Sequence, residues 1–428
     1  MNKLTRNDYT EVGNDSTAQV SIRVGMHDLR ASRNDVRAMR AATTLVETGL
    51  AISIVDVESE VARCIEEDIH GIHIHHIMVP DSFGSTRFEN WAFIKAIQLF
   101  FRSTLCLIQT SADIYHACEV TALPACYIAA ILRRKPLIFE AYELPLFDRP
   151  LSEMSKTRRW LRRLLGIFLA YVVPRCAAVI TVSPPIVQEI RNRYSPSRVA
   201  LVRNLPAYRF VAKSDGLRQR LSLDPDVRIA LYQGFLQPDR GLDRLVRAAK
   251  FLDKDVMIVM MGQGVGTTQA ELESLIVSEG VADRVQILPP VPYEELLDWT
   301  ASADIGLTII PLDYTLNMRM CLPNKLFEYL MAGLPVLSSP LEAVTEIINK
   351  YDVGRVVHSL EPAVVGTAIN AMIKDDVALS RMRNNALEAS QQSLSWEKES
   401  LELLVVYKNV LVSRGKGRAK RLSLNSRS

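Results

Sequence analysis

Leu322-Pro323-Asn324-Lys325-Leu326-Phe327-Glu328-Tyr329-Leu330-Met331-Ala332-Gly333-Leu334-Pro335-Val336 is the stretch from which the rest of the chain can be read. Asn324 is placed to cap a short helix, Gly333 to supply its left-handed end, and Pro335 to stop further helix just before a buried strand. Leu326, Phe327, Leu330 and Met331 have the spacing of one apolar helix face. Glu328 therefore falls mid-helix. Taken alone it reads either as a complement to the helix dipole or as a functional carboxylate.

Outward from this stretch, short β-branched runs alternate with longer helical patterns, which is the mark of a parallel sheet covered by helices. In the first half, Ser21 to Met26, Ile52 to Val57, Ile114 to Ala117, Leu137 to Phe139, Ala178 to Val182 and Val199 to Val202 read as strands. In the second half, Ile229 to Tyr232, Val256 to Met261, Val285 to Leu288, Ile305 to Ile310 and Pro335 to Ser338 do. Two Rossmann-like halves are expected, joined by the polar segment Pro206 to Asp226. A helix is expected from Trp396 to Val412, and Ser413 to Ser428 carries basic but no acidic residues, as a disordered tail does.

The 428 residues, 48% of them hydrophobic, suffice for two cores and exclude a disordered or fibrous chain. With 51 Lys and Arg against 48 Asp and Glu, the net charge of +3 is too small for a phosphate-tracking surface, so nucleic acid is not an expected partner. The first twenty residues contain no apolar core of secretory type, and no apolar run approaches the roughly 18 to 20 residues of a membrane-spanning helix. Cys64, Cys106, Cys118, Cys126, Cys176 and Cys321 lie far apart with no CxxC pair. They read as reduced core thiols of a cytoplasmic protein.

Two further features admit alternatives. Ile72-His73-Ile74-His75 would put two imidazoles on one strand face, but no acid or cysteine sits beside them at ligand spacing, although Glu66, Glu67 and Asp68 precede. A polar strand edge is expected, and no metal. Between Arg158 and Val172, the residues Trp160, Leu161, Leu164, Leu165, Phe168, Leu169 and Val172 form a helical stripe flanked by Arg158, Arg159, Arg162 and Arg163. That helix either packs on the first sheet with solvated arginines or also meets an anionic membrane surface.

The string Pro323 to Val336 resembles the donor-site motif of the family-4 retaining glycosyltransferases of GT-B fold, and Tyr232 to Leu242 resembles their first second-domain strand and loop. The resemblance extends to Ile22–Arg30, Ala112–His116, Phe139–Leu144 and Val179–Ser183, hence over roughly residues 20 to 412. It implies an α/β GT-B fold of two doubly wound domains facing across a cleft. The expected organisation is a disordered 1–20, an acceptor-side domain over 21–205, a linker over 206–226, a nucleotide-sugar-binding domain over 227–390, a helix over 391–412 crossing back to the first domain, and a disordered tail over 413–428.

The resemblance further implies transfer of a sugar from a nucleoside diphosphate sugar to a glycan or lipid-linked acceptor, in surface-polysaccharide assembly, with no cofactor or metal required. Glu328 matches the family's ribose-holding glutamate and Arg240 its basic residue facing the diphosphate. Gly234 permits close backbone approach to the phosphates, and Met261-Gly262-Gln263-Gly264 is either a phosphate loop or an ordinary strand-to-helix turn. His116, Tyr142 and Glu143 are acceptor-side candidates, although Ala112 to His116 at a strand end equally suits a packed histidine. Three departures stand out: Met320 where relatives carry a second acid, Phe235 where they often carry arginine after the loop glycine, and Tyr142-Glu143 where they read His-Glu. Lys325 is positioned to replace the missing cation. A nucleotide-sugar epimerase of the same fold and a catalytically degenerate donor-binding subunit are the alternative readings.

Overall fold

The computed structural model describes residues 21–58, 65–79, 89–147 and 149–414. The expectations for 1–20 and for most of the 413–428 tail lie outside the described residues. Among those described, β1 (Arg23–His27), β2 (Ala51–Glu58), β3 (Glu66–Ile69), β4 (Ile72–Met78), β5 (Ile114–Cys118), β6 (Leu137–Ala141), β7 (Ala178–Thr181) and β8 (Val199–Leu201) build the first sheet, in the order β3-β4-β2-β1-β5-β6-β7-β8. All its pairings are parallel except β3 with β4. The second sheet is wholly parallel, with β9 (Arg228–Gln233), β10 (Val256–Met261), β11 (Val285–Leu288), β12 (Ile305–Thr308), β13 (Val336–Ser338) and β14 (Gly354–Val356) in the order β11-β10-β9-β12-β13-β14.

Strands buried on both faces need apolar side chains in both directions, and the near-continuous runs of β5, β7 and β10 supply them. On one face of the first sheet, Val24, Met26, Ile54, Ile138 and Ile180 pack against Leu45 of the Val36–Glu47 helix and against Leu403, Val406, Tyr407 and Val410. The last four belong to the Trp396–Arg414 helix, which thus returns to the first sheet after the second is complete. The opposite face is covered by the helices Glu89–Gln109, Glu119–Arg133, Lys156–Val172 and Pro184–Tyr194.

Several local expectations need correction. β3 and β14 were not among the expected strands, because β3 is almost entirely acidic and β14 has only three residues. β4 is not an edge, since β3 covers it. The 206–226 segment is not a free linker: Val211 and Leu217 are buried against residues of the second half, and Gly216–Leu221 is helical. In the decisive stretch, Pro323 and not Asn324 precedes the helix Asn324–Met331, and no side chain caps it. Gly333 does take the left-handed conformation, at φ +69°.

Candidate functional site

A doubly wound sheet binds its ligands beyond the carboxyl ends of the strands, where successive connections leave in opposite directions. In the second sheet that point is the end of β9, flanked by β10 and β12. There Gly234 adopts φ +123°, open to glycine but strained for other residues. Its loop is zipped to the one after β10: Gly234 N donates to Met261 O at 3.0 Å, Leu236 N to Gln263 O at 2.9 Å, and Val265 N to Leu236 O at 3.0 Å. A Cβ on Gly262 would lie 1.9 Å from the Gly234 carbonyl oxygen, and one on Gly264 would lie 2.7 Å from Gln269 Cβ. Close apposition of the two loops therefore accounts for Gly262, and the first turn of the Thr268–Glu279 helix accounts for Gly264.

The Asn324–Met331 helix is anchored to β9 by Tyr329, whose hydroxyl donates to Leu231 O at 3.0 Å and accepts from Gln233 N at 3.0 Å. One turn earlier, Lys325 reaches under the Gly234 loop, where a Cβ on Gly234 would sit 3.4 Å from its Nζ. Glu328 Oε2 accepts from Gln233 Nε2 at 2.7 Å, and Gln233 Oε1 accepts from Thr300 Oγ1 at 2.7 Å. Gln233 thus fixes the Glu328 carboxylate through one oxygen. Burial pushes Glu328 up, against the Gln233 hydrogen bond and the charges of Lys325 and Arg40. Lys325 is pushed well down, first by burial and then by Arg240, with Glu328 opposing. Arg240 Nη2 donates to Gln237 Oε1 at 3.3 Å, and its Nε lies 3.7 Å from Asp239. The arrangement is a pair of basic side chains beside a tight glycine loop, in which Arg240 disfavours charge on Lys325, with a carboxylate one helical turn away.

The first sheet presents its own carboxyl ends to this region. Leu144 N, after β6, donates to Asn317 Oδ1 at 2.9 Å, and Ser183 Oγ, after β7, donates to Met320 O at 2.7 Å. Met320 packs against the first-sheet core, so where relatives carry an acid this chain has an apolar contact between halves. Glu143 is exposed on the loop after β6.

One acceptor-side expectation is corrected. His116 is fully buried, with Nδ1 2.6 Å from the Tyr407 hydroxyl and Nε2 3.0 Å from Glu140 Oε2. Its position in β5 turns it toward the Trp396–Arg414 helix, away from the cleft. Tyr142 lies beneath the Arg30 and Arg37 guanidiniums, 5.4 and 5.2 Å from its ring centroid, and its hydroxyl is buried. At the same end of the sheet, after β1, Arg30 also bridges Asp28 and Asp35, its Nη2 lying 2.6 Å from Asp35. Burial and Asp35 push Asp28 well up.

Sequence reasoning did not single out Gln233, Thr300, Tyr293 or Arg40. Gln233 adjoins the glycine that was, so its position could have flagged it. Arg40 had no such signal: it lies in the first half, and only the tertiary fold brings its Nη2 to the Tyr293 hydroxyl at 3.1 Å, near Glu328.

Residues 214–389 match the family model for glycosyl transferases group 1, and residues 36–205 match that for glycosyltransferase family 4. The chain belongs to the family-4, group 1 glycosyltransferases. Among curated relatives, the D-inositol 3-phosphate glycosyltransferase of Xylanimonas cellulosilytica is 29% identical over 198 residues, covering 45% of this chain and 44% of that one. The chain spans about half the length of the curated relatives it matches. Among solved structures, the sucrose-phosphate synthase of Thermosynechococcus elongatus superposes with a TM-score of 0.74 at 14% identity, over 92% of this chain and 100% of the other. HepE of Anabaena, in complex with UDP and glucose, gives 0.70 at 15% identity, over 90% and 99%. These likenesses establish the GT-B fold of the group 1 chain.

Proposed function

We propose that this group 1 chain is a retaining glycosyltransferase that moves a sugar from a nucleoside diphosphate sugar, of the UDP class bound by HepE, to a glycan or lipid-linked acceptor in surface-polysaccharide assembly. The observation that carries the reading is the convergence of Lys325, Arg240 and Glu328 at the end of β9. Burial and Arg240 disfavour charge on Lys325, and a diphosphate is the anion that two such basic groups and a glycine loop suit. Glu328, steadied by Gln233, accepts from the ribose hydroxyls.

Chemically, the bond between the anomeric carbon and the diphosphate oxygen breaks while the acceptor oxygen bonds to the same face of that carbon. The departing diphosphate takes the acceptor proton. Arg240 and Lys325 stabilise the charge that develops on the leaving group, so no protein base is assigned. Acceptor-side contacts fall to Glu143 and the loops after β6 and β7.

The Lys156–Val172 helix supports a location at the cytoplasmic face of a membrane. Trp160 is 59% and Ile167 63% exposed, with Leu161, Leu164 and Tyr171 also exposed beside Arg158, Arg159 and Arg163. Ile131 and Leu132 of the Glu119–Arg133 helix are exposed too, and Tyr127 of that helix contacts Phe168 and Tyr171. Apolar side chains ringed by arginines suit an anionic lipid surface. Among the described residues no helix is long and apolar enough to cross a membrane.

The deciding experiment is a donor screen that follows nucleoside diphosphate release with and without membrane lipid extract, with products weighed by mass spectrometry. A sugar-enlarged lipid supports the reading. Donor conversion without acceptor enlargement indicates an epimerase, and donor binding without turnover indicates a donor-binding subunit.

A further inference from the structure

The β3–β4 hairpin gathers side chains that the proposed transfer does not use. It closes through His70 at φ +50° and Gly71 at φ +79°. Two successive left-handed residues make the tight turn that matches strand twist and fixes hairpin register. The register that follows pairs Ile69 with Ile72, Asp68 with His73, Glu67 with Ile74 and Glu66 with His75. It cannot slip by one residue, because Ile72 and Ile74 are fully buried and a slip would expose them.

Side chains alternate along a strand, and directly paired residues share a face. Glu66, Asp68, His73 and His75 therefore project together, on the same face as Val55 and Ile77. The opposite face is engaged otherwise: His76 Nδ1 lies 2.7 Å from Asp56 and its Nε2 3.1 Å from Glu67, which also binds Arg33.

We propose that Glu66, His73 and His75 bind a divalent first-row transition cation of the zinc class. One donor atom from each lies within 4.8 Å of the other two. His75 Nδ1 is 3.0 Å from Glu66 Oε1, and the two imidazole rings meet edge to face with centroids 4.4 Å apart. Two imidazoles and a carboxylate are the ligand types such cations take, with water completing the shell. Asp68 Oδ1 lies 3.1 Å from His73 Nδ1. A carboxylate on one ring nitrogen fixes the tautomer and leaves Nε2 as the donor, so Asp68 is the positioning residue.

The missing ligand noted from the sequence is thus supplied across the hairpin: the acid lies nine residues from His75 in the chain but directly opposite it in the sheet. A cation there would clip β3, the exposed edge strand, to the rest of the sheet. The site is independent of donor binding, since it sits at the outer edge of the first sheet.

The test uses the full chain stripped with EDTA. Titration with Co2+ alone, read by its visible d–d absorption, should give one equivalent with the spectrum of a nitrogen- and oxygen-ligated ion, displaced by Zn2+. His73→Ala and His75→Ala should each abolish that spectrum, and Glu66→Gln should weaken binding while keeping the side chain's shape. Asp68→Asn should lower affinity roughly 10- to 100-fold. His358→Ala, at an exposed histidine elsewhere, should change nothing. Zn2+ should raise the melting temperature of the parent and not of His75→Ala. A Co2+ spectrum indistinguishable from the aqueous ion, or binding retained in the His73→Ala, His75→Ala double variant, overturns the proposal. Circular dichroism of each variant separates loss of ligand from loss of fold.

Discussion

Lys325 Nζ lies 3.5 Å from the centroid of the Tyr232 ring. Tyr232 is the penultimate residue of β9 and its hydroxyl donates to Phe235 O at 2.8 Å, so strand, loop and helix are tied at one point. The ring face holds the ammonium under the Gly234 loop, where burial and Arg240 weaken its hold on a proton. A bound diphosphate would reverse that.

Proton uptake follows from this relationship. An anion beside Lys325 raises a depressed affinity for protons, so nucleoside diphosphate binding should take up protons at pH values where free lysine is fully charged. Isothermal titration calorimetry with UDP in buffers of different ionisation enthalpy measures the number directly. Lys325→Met should abolish the uptake; equal uptake in parent and variant would remove Lys325 from the site.

Arg240→Ala and Lys325→Ala should each lower turnover more than donor affinity, because charge on the leaving group is greatest in the transition state. The comparison is kcat against the donor dissociation constant. Matched losses in both would assign the two cations to ground-state binding alone.

Glu328→Ala should weaken donor binding by about 1.5 to 3 kcal/mol for each charge-assisted hydrogen bond to the ribose that is lost. The fold should survive, since Tyr329 and the apolar face of the helix stay in place. Undiminished affinity in a folded variant would refute the ribose assignment.

Gly262→Ala should destabilise the second half by about 1 to 3 kcal/mol, as overpacking does, because its Cβ would meet the Gly234 carbonyl at 1.9 Å. Gly266→Ala, with nothing within 4 Å of the added Cβ, should cost only the left-handed strain of about 1 kcal/mol. Urea midpoints give the comparison, and the Gly262 variant alone should also lose UDP affinity.

His27, buried at the end of β1 with Nδ1–H donating to Val55 O at 2.7 Å, is pulled from its ordinary value of 6.5 down to about 4 by burial, against the backbone hydrogen bond. The unfolded chain therefore binds the extra proton first, and stability should fall as pH drops from about 6.5 to about 4, by about 3 kcal/mol in total. His27→Gln should flatten the urea midpoint across that interval.

Replacing Arg158, Arg159, Arg162 and Arg163 with glutamine should reduce sedimentation with anionic liposomes, and added salt should reproduce the loss in the parent. Trp160→Ala should weaken sedimentation without changing its salt dependence. Sedimentation unaffected by either change would leave the Lys156–Val172 helix without a lipid contact.

The sequence by itself determined what depends on local order. Apolar runs set most strands of both sheets, and the Leu322 to Val336 spacing placed Glu328 mid-helix with Gly333 at its end. Gly234 and Gly262 stood out because backbone geometry at a strand end is local. The tertiary structure decided what depends on residues far apart in the chain. His116 was read as a cleft candidate from its place near a strand end, but the side of the sheet it faces is set by the helix that returns almost three hundred residues later. Arg40 comes near Glu328 only because the halves close on one another, and Glu66 meets His75 only because a two-residue turn sets the register. Periodicity records which residues are buried; which buried or polar groups meet is fixed by packing.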